Sequence, residues 1–315
     1  MILITGGLGY LGGRIAEYLI KIGEDVRIGS SKKKPHIPTE LSLCEVVNID
    51  FSDNASIDKA CENVTCIVHL AALNAVDCSN NPESALLVNS LGTLKLLESA
   101  RKKSVSRFLY FSTAHVYGTH LSGVISEKSL PNPSNHYAIT HRAAEDYVIS
   151  YNNNKFNTCV FRLTNVIGSP LTQFNNCWML ISNDLCRKIA MNQELIIYSN
   201  KLMIRDFISM QDIISSTCYF IKTENKIPGG EIVNISSGAP MTLERLSNII
   251  IERAREVLGY SAHIFYKNKD NNKKNQEFFI SNKKAIEYGF EFNTGIQNEI
   301  DKMLICYDKW FGGVE

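Results

Sequence analysis

A chain of 315 residues can bury a large core without disulfide or metal staples. Hydrophobic residues at 44% and charged residues at 21% are ordinary globular usage, which excludes disordered and fibrous classes. Lys and Arg total 33 against 32 Asp and Glu, a formal charge of +1, so no overall field gathers nucleic acid or an anionic membrane. Nine cysteines form no C-x-x-C pair and are odd in number, which favours buried thiols in a reducing compartment over disulfides or a metal site. The opening MILITGG reads as a strand rather than a leader, and no apolar stretch would span a bilayer; a cytoplasmic protein is expected.

Taken in order, apolar runs alternate with helical periodicities. Met1–Thr5 is strand-like and Gly12–Ile22 is amphipathic. Val26–Ile28 and Glu45–Ile49 are further strands, and Ser52–Asp53 offers N-cap chemistry before Ile57–Cys61. Cys66–Leu70, Arg107–Ser112 and Thr158–Leu163 continue the strands, with helical spacing over Ser84–Arg101 and Tyr137–Asn152 between them. Strands apolar throughout and separated by helices predict a parallel sheet covered on both faces, an α/β doubly wound, Rossmann-like domain over residues 1–165. From 166 to 315 the pattern shortens, and a smaller α/β substrate-binding domain is expected, with some interleaving of the chain. The polar run KNKDNNKK, from Lys267, lacks aromatics and reads as a solvated loop.

Gly6-x-x-Gly9-x-x-Gly12 falls between the first strand and the first helix. There Gly6 allows a tight turn, Gly9 lets a pyrophosphate approach the backbone, and Gly12 lets helix and strand pack closely. An NAD enzyme of this topology places an acid after the second strand, to accept from the ribose 2′-hydroxyl. This chain has Ser30, Ser31 and Lys32 followed by Lys33 and Lys34, which suit a 2′-phosphate. NADP(H) is therefore expected; NAD(H), with a plain solvated lysine loop, is the alternative.

These pieces, together with an ordered set of later motifs, resemble the extended short-chain dehydrogenases/reductases of the nucleotide-sugar epimerase/dehydratase family. TGGLGYLG matches the glycine motif, with Tyr10 and Leu11 at the start of the helix, and Asp50, followed by Phe51, matches the acid that meets adenine. His69-Leu70-Ala71-Ala72, then Leu73 and Asn74, match the edge along the cofactor, and Val88-Asn89 with Gly92-Thr93 matches VNxxGT. FSTAHVYG aligns Thr113 with the active-site Ser or Thr, places His115 before VYG, and leaves Tyr137 as the catalytic tyrosine. Arg162-Leu163-Thr164-Asn165 and Arg205-Asp206-Phe207-Ile208 resemble RxxN and RDFI; Asn234–Gly238 resembles the late NIGSG segment.

The resemblance implies a dinucleotide contacted by residues 6, 9–12, 30–32, 50–51, 70–72, Asn89 and Thr164, and a nucleotide sugar contacted by Asn74, His115, Asn165 and Arg205. It further implies C4 chemistry, as keto-sugar reductase or epimerase, in the supply of surface-polysaccharide sugars, and a homodimer. The family's Y-x-x-x-K reads Tyr137-Ala-Ile-Thr-His141, so imidazole stands where a lysine supplies charge. A catalytically silent NADP(H)-binding sensor or a scaffold subunit is the alternative to an enzyme. Tyr137 and His141, four apart on a helix, share a face. An imidazole near its ordinary pKa of about 6.5 is expected to show its titration in activity. Ala114 and His115 replace the acids a 4,6-dehydratase uses before VYG, and no metal ligand set is expected.

Overall fold

The computed structural model describes residues 1–223, 226–267, 276–292 and 295–313; all but Lys267 of the KNKDNNKK run lies outside them. Seven parallel strands form the central sheet: β1 Ile2–Thr5, β2 Val26–Ser30, β3 Glu45–Asn48, β4 Cys66–His69, β5 Arg107–Thr113, β6 Asn157–Leu163 and β7 Glu231–Ile235. Their order across the sheet is β7-β6-β5-β4-β1-β2-β3. The chain reverses direction between β1 and β4, and the loops that follow those two strands open the crevice where α/β sheets bind ligands.

Because successive strand residues point to opposite faces, each strand feeds two cores. Ile2, Ile4, Ile28, Leu109 and Phe161 join Ile15 and Leu19 of the helix Tyr10–Lys21 and Ile213 of the helix Met210–Lys222. Leu3, Ile67, Phe108, Tyr110 and Val160 join Ile57, Leu96, Ala100 and Val148 on the other side. Fully burying Ile15 and Leu19 is worth roughly 1.5–3 kcal/mol each, which is what seats the first helix and with it the glycine turn.

The expected helix over Ser84–Arg101 is present but changes pitch. Pro82–Ala85 and Gly92–Lys102 are α-helical, and Leu86–Leu91 between them is a π-helical segment. That widened turn, a form that recurs at functional sites, carries Asn89 to Leu73, whose N–H donates 2.8 Å to Asn89 Oδ1. The second half contributes β7 and the helix Met210–Lys222 to the sheet domain. Its remaining segments build a separate core in which Ile167, Leu246, Leu304 and Tyr307 meet among the helices Ile181–Ala190, Leu243–Leu258 and Ile296–Phe311. Two-stranded sheets, among them Asn165–Ile167 with Phe207–Ser209, connect the two parts. No helix among the described residues is long and apolar enough to cross a membrane. All nine cysteines are unpaired, and burial holds thiols such as Cys61 up at about 11.

Candidate active site

The glycine turn is shaped for an anion. Gly6 has φ +67°, and a Cβ there would lie 3.0 Å from the Ala71 nitrogen; a Cβ on Gly12 would sit 2.3 Å from the Gly6 carbonyl oxygen. Gly9, exposed at the helix start, donates 2.8 Å to that same oxygen, and a Cβ on it would meet only that atom. The helix has no side-chain cap and no acid in its first turn, so its free N–H groups and positive end face the crevice. A dinucleotide pyrophosphate fits this cradle. The side chains beside it have other work. Tyr10 Oη donates 2.9 Å to the Gly168 carbonyl, tying the helix to the second half, and Leu11 packs on the core, so both meet the turn through backbone alone.

After β2, the buried Ser30 accepts from Lys32 N at 3.2 Å, while Ser31 and Lys32 to Lys34 are exposed and form no ion pair among the described residues. Asp50 accepts from Ser52 N and Oγ at 2.8 and 2.6 Å; those bonds, with the charges of Lys33 and Lys95, hold its carboxyl below the usual range. Phe51 lies on Gly92, whose added Cβ would be 2.8 Å from the ring.

The edge that follows β4 is braced by a buried histidine. Thr93 Oγ1 donates 2.6 Å to Asn89 O, so it accepts from His69 Nε2 at 2.9 Å. His69 Nδ1 therefore accepts from Thr5 Oγ1 at 2.6 Å, and Thr5 Oγ1 in turn receives the N–H groups of Leu70 and Ala71 at 3.2 Å. Every polar atom of His69 is used, and burial pushes its pKa down to about 3. Asn89 is likewise spent. Its amide holds Leu73 N, Thr140 Oγ1 at 3.1 Å and Cys78 Sγ at 3.4 Å, so it braces the edge.

Thr113 ends β5, and Tyr137 lies near the start of the helix His136–Ser150; the Thr113 hydroxyl is close enough to lower the Tyr137 pKa. Asn135 caps that helix by accepting from Ala138 N at 2.9 Å, which fixes where Tyr137 emerges. Burial raises the Tyr137 phenol to about 12, against a small lowering by Thr113. The Tyr137 and His141 rings are 4.5 Å apart, edge to face. His141 is 3% exposed; Nδ1 lies 2.7 Å from Tyr110 Oη, and Nε2 is buried without a partner. Burial, with a small contribution from His115, pushes its pKa down to about 3. An imidazole titrating near neutrality is therefore not what the fold provides: the desolvated ring stays uncharged. His115 has its ring 6.1 Å from Tyr137, its backbone N–H on Thr113 Oγ1 at 3.2 Å, and a pKa lowered by burial and by the Arg205 charge.

At the far end of the crevice, neighbours divide the work. Asp206 is buried and saturated: Oδ1 accepts from Thr164 Oγ1 at 2.6 Å and Ser237 N at 2.9 Å, and Oδ2 accepts from Ser237 Oγ at 2.8 Å. The Thr164 hydroxyl is thereby taken up within the fold. Asn165 gives Nδ2 to Asp206 O at 2.9 Å and keeps Oδ1 unbonded among the described residues. Arg205 spends one N–H on Ile204 O at 3.0 Å, forms no ion pair among the described residues, and is lowered in pKa by burial. Asn74, expected at the sugar, caps the helix Ala75–Asn80: Oδ1 accepts from Val76 N and Asp77 N, and Nδ2 donates 2.7 Å to Asp77 Oδ2. Tyr110 carries no motif of its own; only the histidine it meets reveals what it does. No group of three His, Cys, Asp or Glu among the described residues could hold a metal.

A doubly wound sheet with an anion-binding turn and a Thr–Tyr pair facing it defines a nicotinamide-dependent short-chain dehydrogenase/reductase architecture. Residues 2–236 match the NAD dependent epimerase/dehydratase family, and the chain belongs to it. It is 29% identical over 255 residues to the GDP-6-deoxy-D-talose 4-dehydrogenase of Aggregatibacter actinomycetemcomitans, covering 80% of this chain and 79% of that one. Among solved structures it resembles a UDP-glucose 4-epimerase with UDP-glucose from Thermotoga maritima (TM-score 0.84, 21% identity, 98% and 99% of the two chains). It also resembles RMD from Pseudomonas aeruginosa complexed with NADPH (TM-score 0.79, 20% identity, 98% and 99%).

Proposed function

We propose that the protein is an oxidoreductase acting at C4 of a nucleotide-activated sugar, a keto-sugar reductase in preference to an epimerase, with NADP(H) as its cofactor. One observation carries the reading: the Tyr137 ring lies 4.5 Å from the ring of a buried His141, where a cation would be needed to favour the phenolate, and burial raises the Tyr137 pKa. The bound nicotinamide supplies hydride chemistry. Tyr137 gives its phenolic proton to the oxygen that becomes the alcohol, and Thr113 hydrogen-bonds the same oxygen and orients it. Oxidation asks for a phenolate, which burial without a cation disfavours; an epimerase must begin with that step. The Arg205 fork suits a diphosphate and the free Asn165 Oδ1 suits a sugar or base donor. Ala114 carries no proton for elimination of water, which argues against a 4,6-dehydratase. Ser30, Ser31 and Lys32 support NADP(H).

Exposed Leu87 and Leu91 in the π segment, with Ile139 and Tyr147 on the neighbouring helix, support a homodimer through these two elements. Supply of activated sugars for surface polysaccharide completes the reading. Neutral His141 also favours the second reading, a silent cofactor-binding sensor or scaffold. Following NADPH and NADH consumption with a panel of nucleotide 4-keto-sugars separates them: reduction outpacing the reverse oxidation is expected. Cofactor binding with no turnover in either direction would establish the silent protein, and a 4-keto-6-deoxy product from a nucleotide hexose would overturn the reductase.

A further inference from the structure

The buried pair Tyr110–His141 has one arrangement of protons that leaves fewest groups unsatisfied. Both residues are at most 3% exposed, and the bond between Tyr110 Oη and His141 Nδ1 is the only hydrogen bond to either side chain among the described residues. If Nδ1 carried the proton, the Tyr110 hydroxyl hydrogen would have no acceptor, and Nε2 would be a second orphan. If Tyr110 donates to Nδ1, both hydroxyl and Nδ1 are satisfied and a single orphan remains, the Nε2–H. No charge nearby calls for an imidazolium. The groups facing the ring are Tyr110, Tyr137, His115 and, beyond Tyr110, His69. Glu145, one turn further along the same helix, is taken up by Arg162 at 2.7 and 2.9 Å and by Ser112 at 2.6 Å.

We propose that Tyr110 is a positioning residue that fixes His141 as the neutral Nε2–H tautomer, leaving a buried N–H donor beside Tyr137 for a hydroxyl oxygen of a bound ligand. The hydroxyl belongs to the cofactor's ribose or to the sugar of the substrate. His69 shows the contrast within the same molecule, since both its nitrogens are already paired with threonines. The ligand half of the inference rests on the proposed cofactor and substrate; the tautomer does not, and the two fail separately.

The test is nitrogen-15 NMR of the histidine rings in the full chain, with His141 assigned by comparison with His141→Gln. The wild type is expected to show a protonated Nε2 and an unprotonated Nδ1 at neutral pH. A protonated Nδ1, or an imidazolium, overturns the proposal. NADPH alone should shift the Nε2–H resonance if ribose is the acceptor; a shift only when UDP-glucose is added with it assigns the substrate, and no shift with either overturns the ligand half. Tyr110→Phe should mix the two tautomers and weaken the ligand that moved the resonance about two- to tenfold, the worth of one neutral hydrogen bond. A thermal melt of the same variant guards against misfolding. A folded variant with mixed tautomers and unchanged affinity also overturns the ligand half.

Discussion

Two regions of this molecule hold a polar pair each, and they divide the same way. Where β4 ends, His69 is wired at both nitrogens; across the crevice His141 is wired at one. In the strand segment near the second core, Asp206 accepts three bonds through its carboxylate while Arg205, next to it, keeps most of its guanidinium free. His69 and Asp206 serve the fold and are saturated, because an unmade bond in a dry interior costs more than a made one gains. His141 and Arg205 are left part-satisfied, and under the proposed function a ligand completes them.

The sharpest way to break that division is at Tyr137. If its proton is the one transferred, Tyr137→Phe should lower keto-sugar reduction about 10²- to 10⁴-fold, with cofactor affinity and melting temperature nearly unchanged, because the ring packing on His141 survives. A fall of less than threefold in single-turnover reduction would move the proton to another group. Second in size is the split between neighbours. Arg205→Ala should raise KM for a nucleotide sugar about 10- to 100-fold and leave stability intact, whereas Asp206→Ala should destabilise the fold by about 3 kcal/mol. Equal damage to stability from both would erase the distinction.

The same division explains what the amino-acid sequence made legible. The sheet and its helices follow from hydrophobic periodicity and glycine punctuation, which are local, so β1 to β6 lie where the apolar runs predict. β7 lies 68 residues beyond the end of β6, and no local pattern in EIVNI tells a sheet strand from a buried segment of the second core. In the site, residue type and motif position singled out Thr113, Tyr137, Asn165 and Arg205. They could not show that Asn74 caps a helix, that Thr164 serves Asp206, or that Asn89 is consumed by Leu73, since each depends on a partner's geometry. Desolvation of His141 was equally hidden: its neighbour Tyr110 is 31 residues away in the chain and arrives through β5.

Third is the adenosine end. Lys32 is exposed and forms no ion pair among the described residues, so its replacement should disturb nothing in the free protein. Lys32→Glu should weaken NADPH about tenfold in calorimetric titration, by removing one ammonium and adding a like charge beside the 2′-phosphate, while NADH changes little. Tighter binding of NADH than NADPH by the wild type would instead mark the lysines as a solvated loop.

The smallest effect is expected where an unsatisfied group is exchanged for a charged one. In the wild type Tyr137, raised to about 12, keeps its proton throughout the physiological range. Reduction needs that proton, so its rate should be flat from neutral pH and be lost only as the pH rises through about 12. Oxidation needs the phenolate, so it should climb with pH over the same range. His141→Lys brings a cation to the edge of the Tyr137 ring and favours the phenolate, which shifts the oxidation profile to lower pH. A fall of one pKa unit gives about tenfold more phenolate at neutral pH, but the weaker base gives back part of that gain, leaving about three- to fivefold in rate. Burial of the new ammonium opposes the change further, and Tyr110 loses its acceptor, so a lower melting temperature should accompany it. Measured against pH in both directions, faster oxidation with unchanged or slower reduction in His141→Lys supports a site tuned for reduction by an uncharged imidazole. Oxidation by the wild type as fast as by the Lys variant would mean that another group, not His141, sets the charge state of Tyr137.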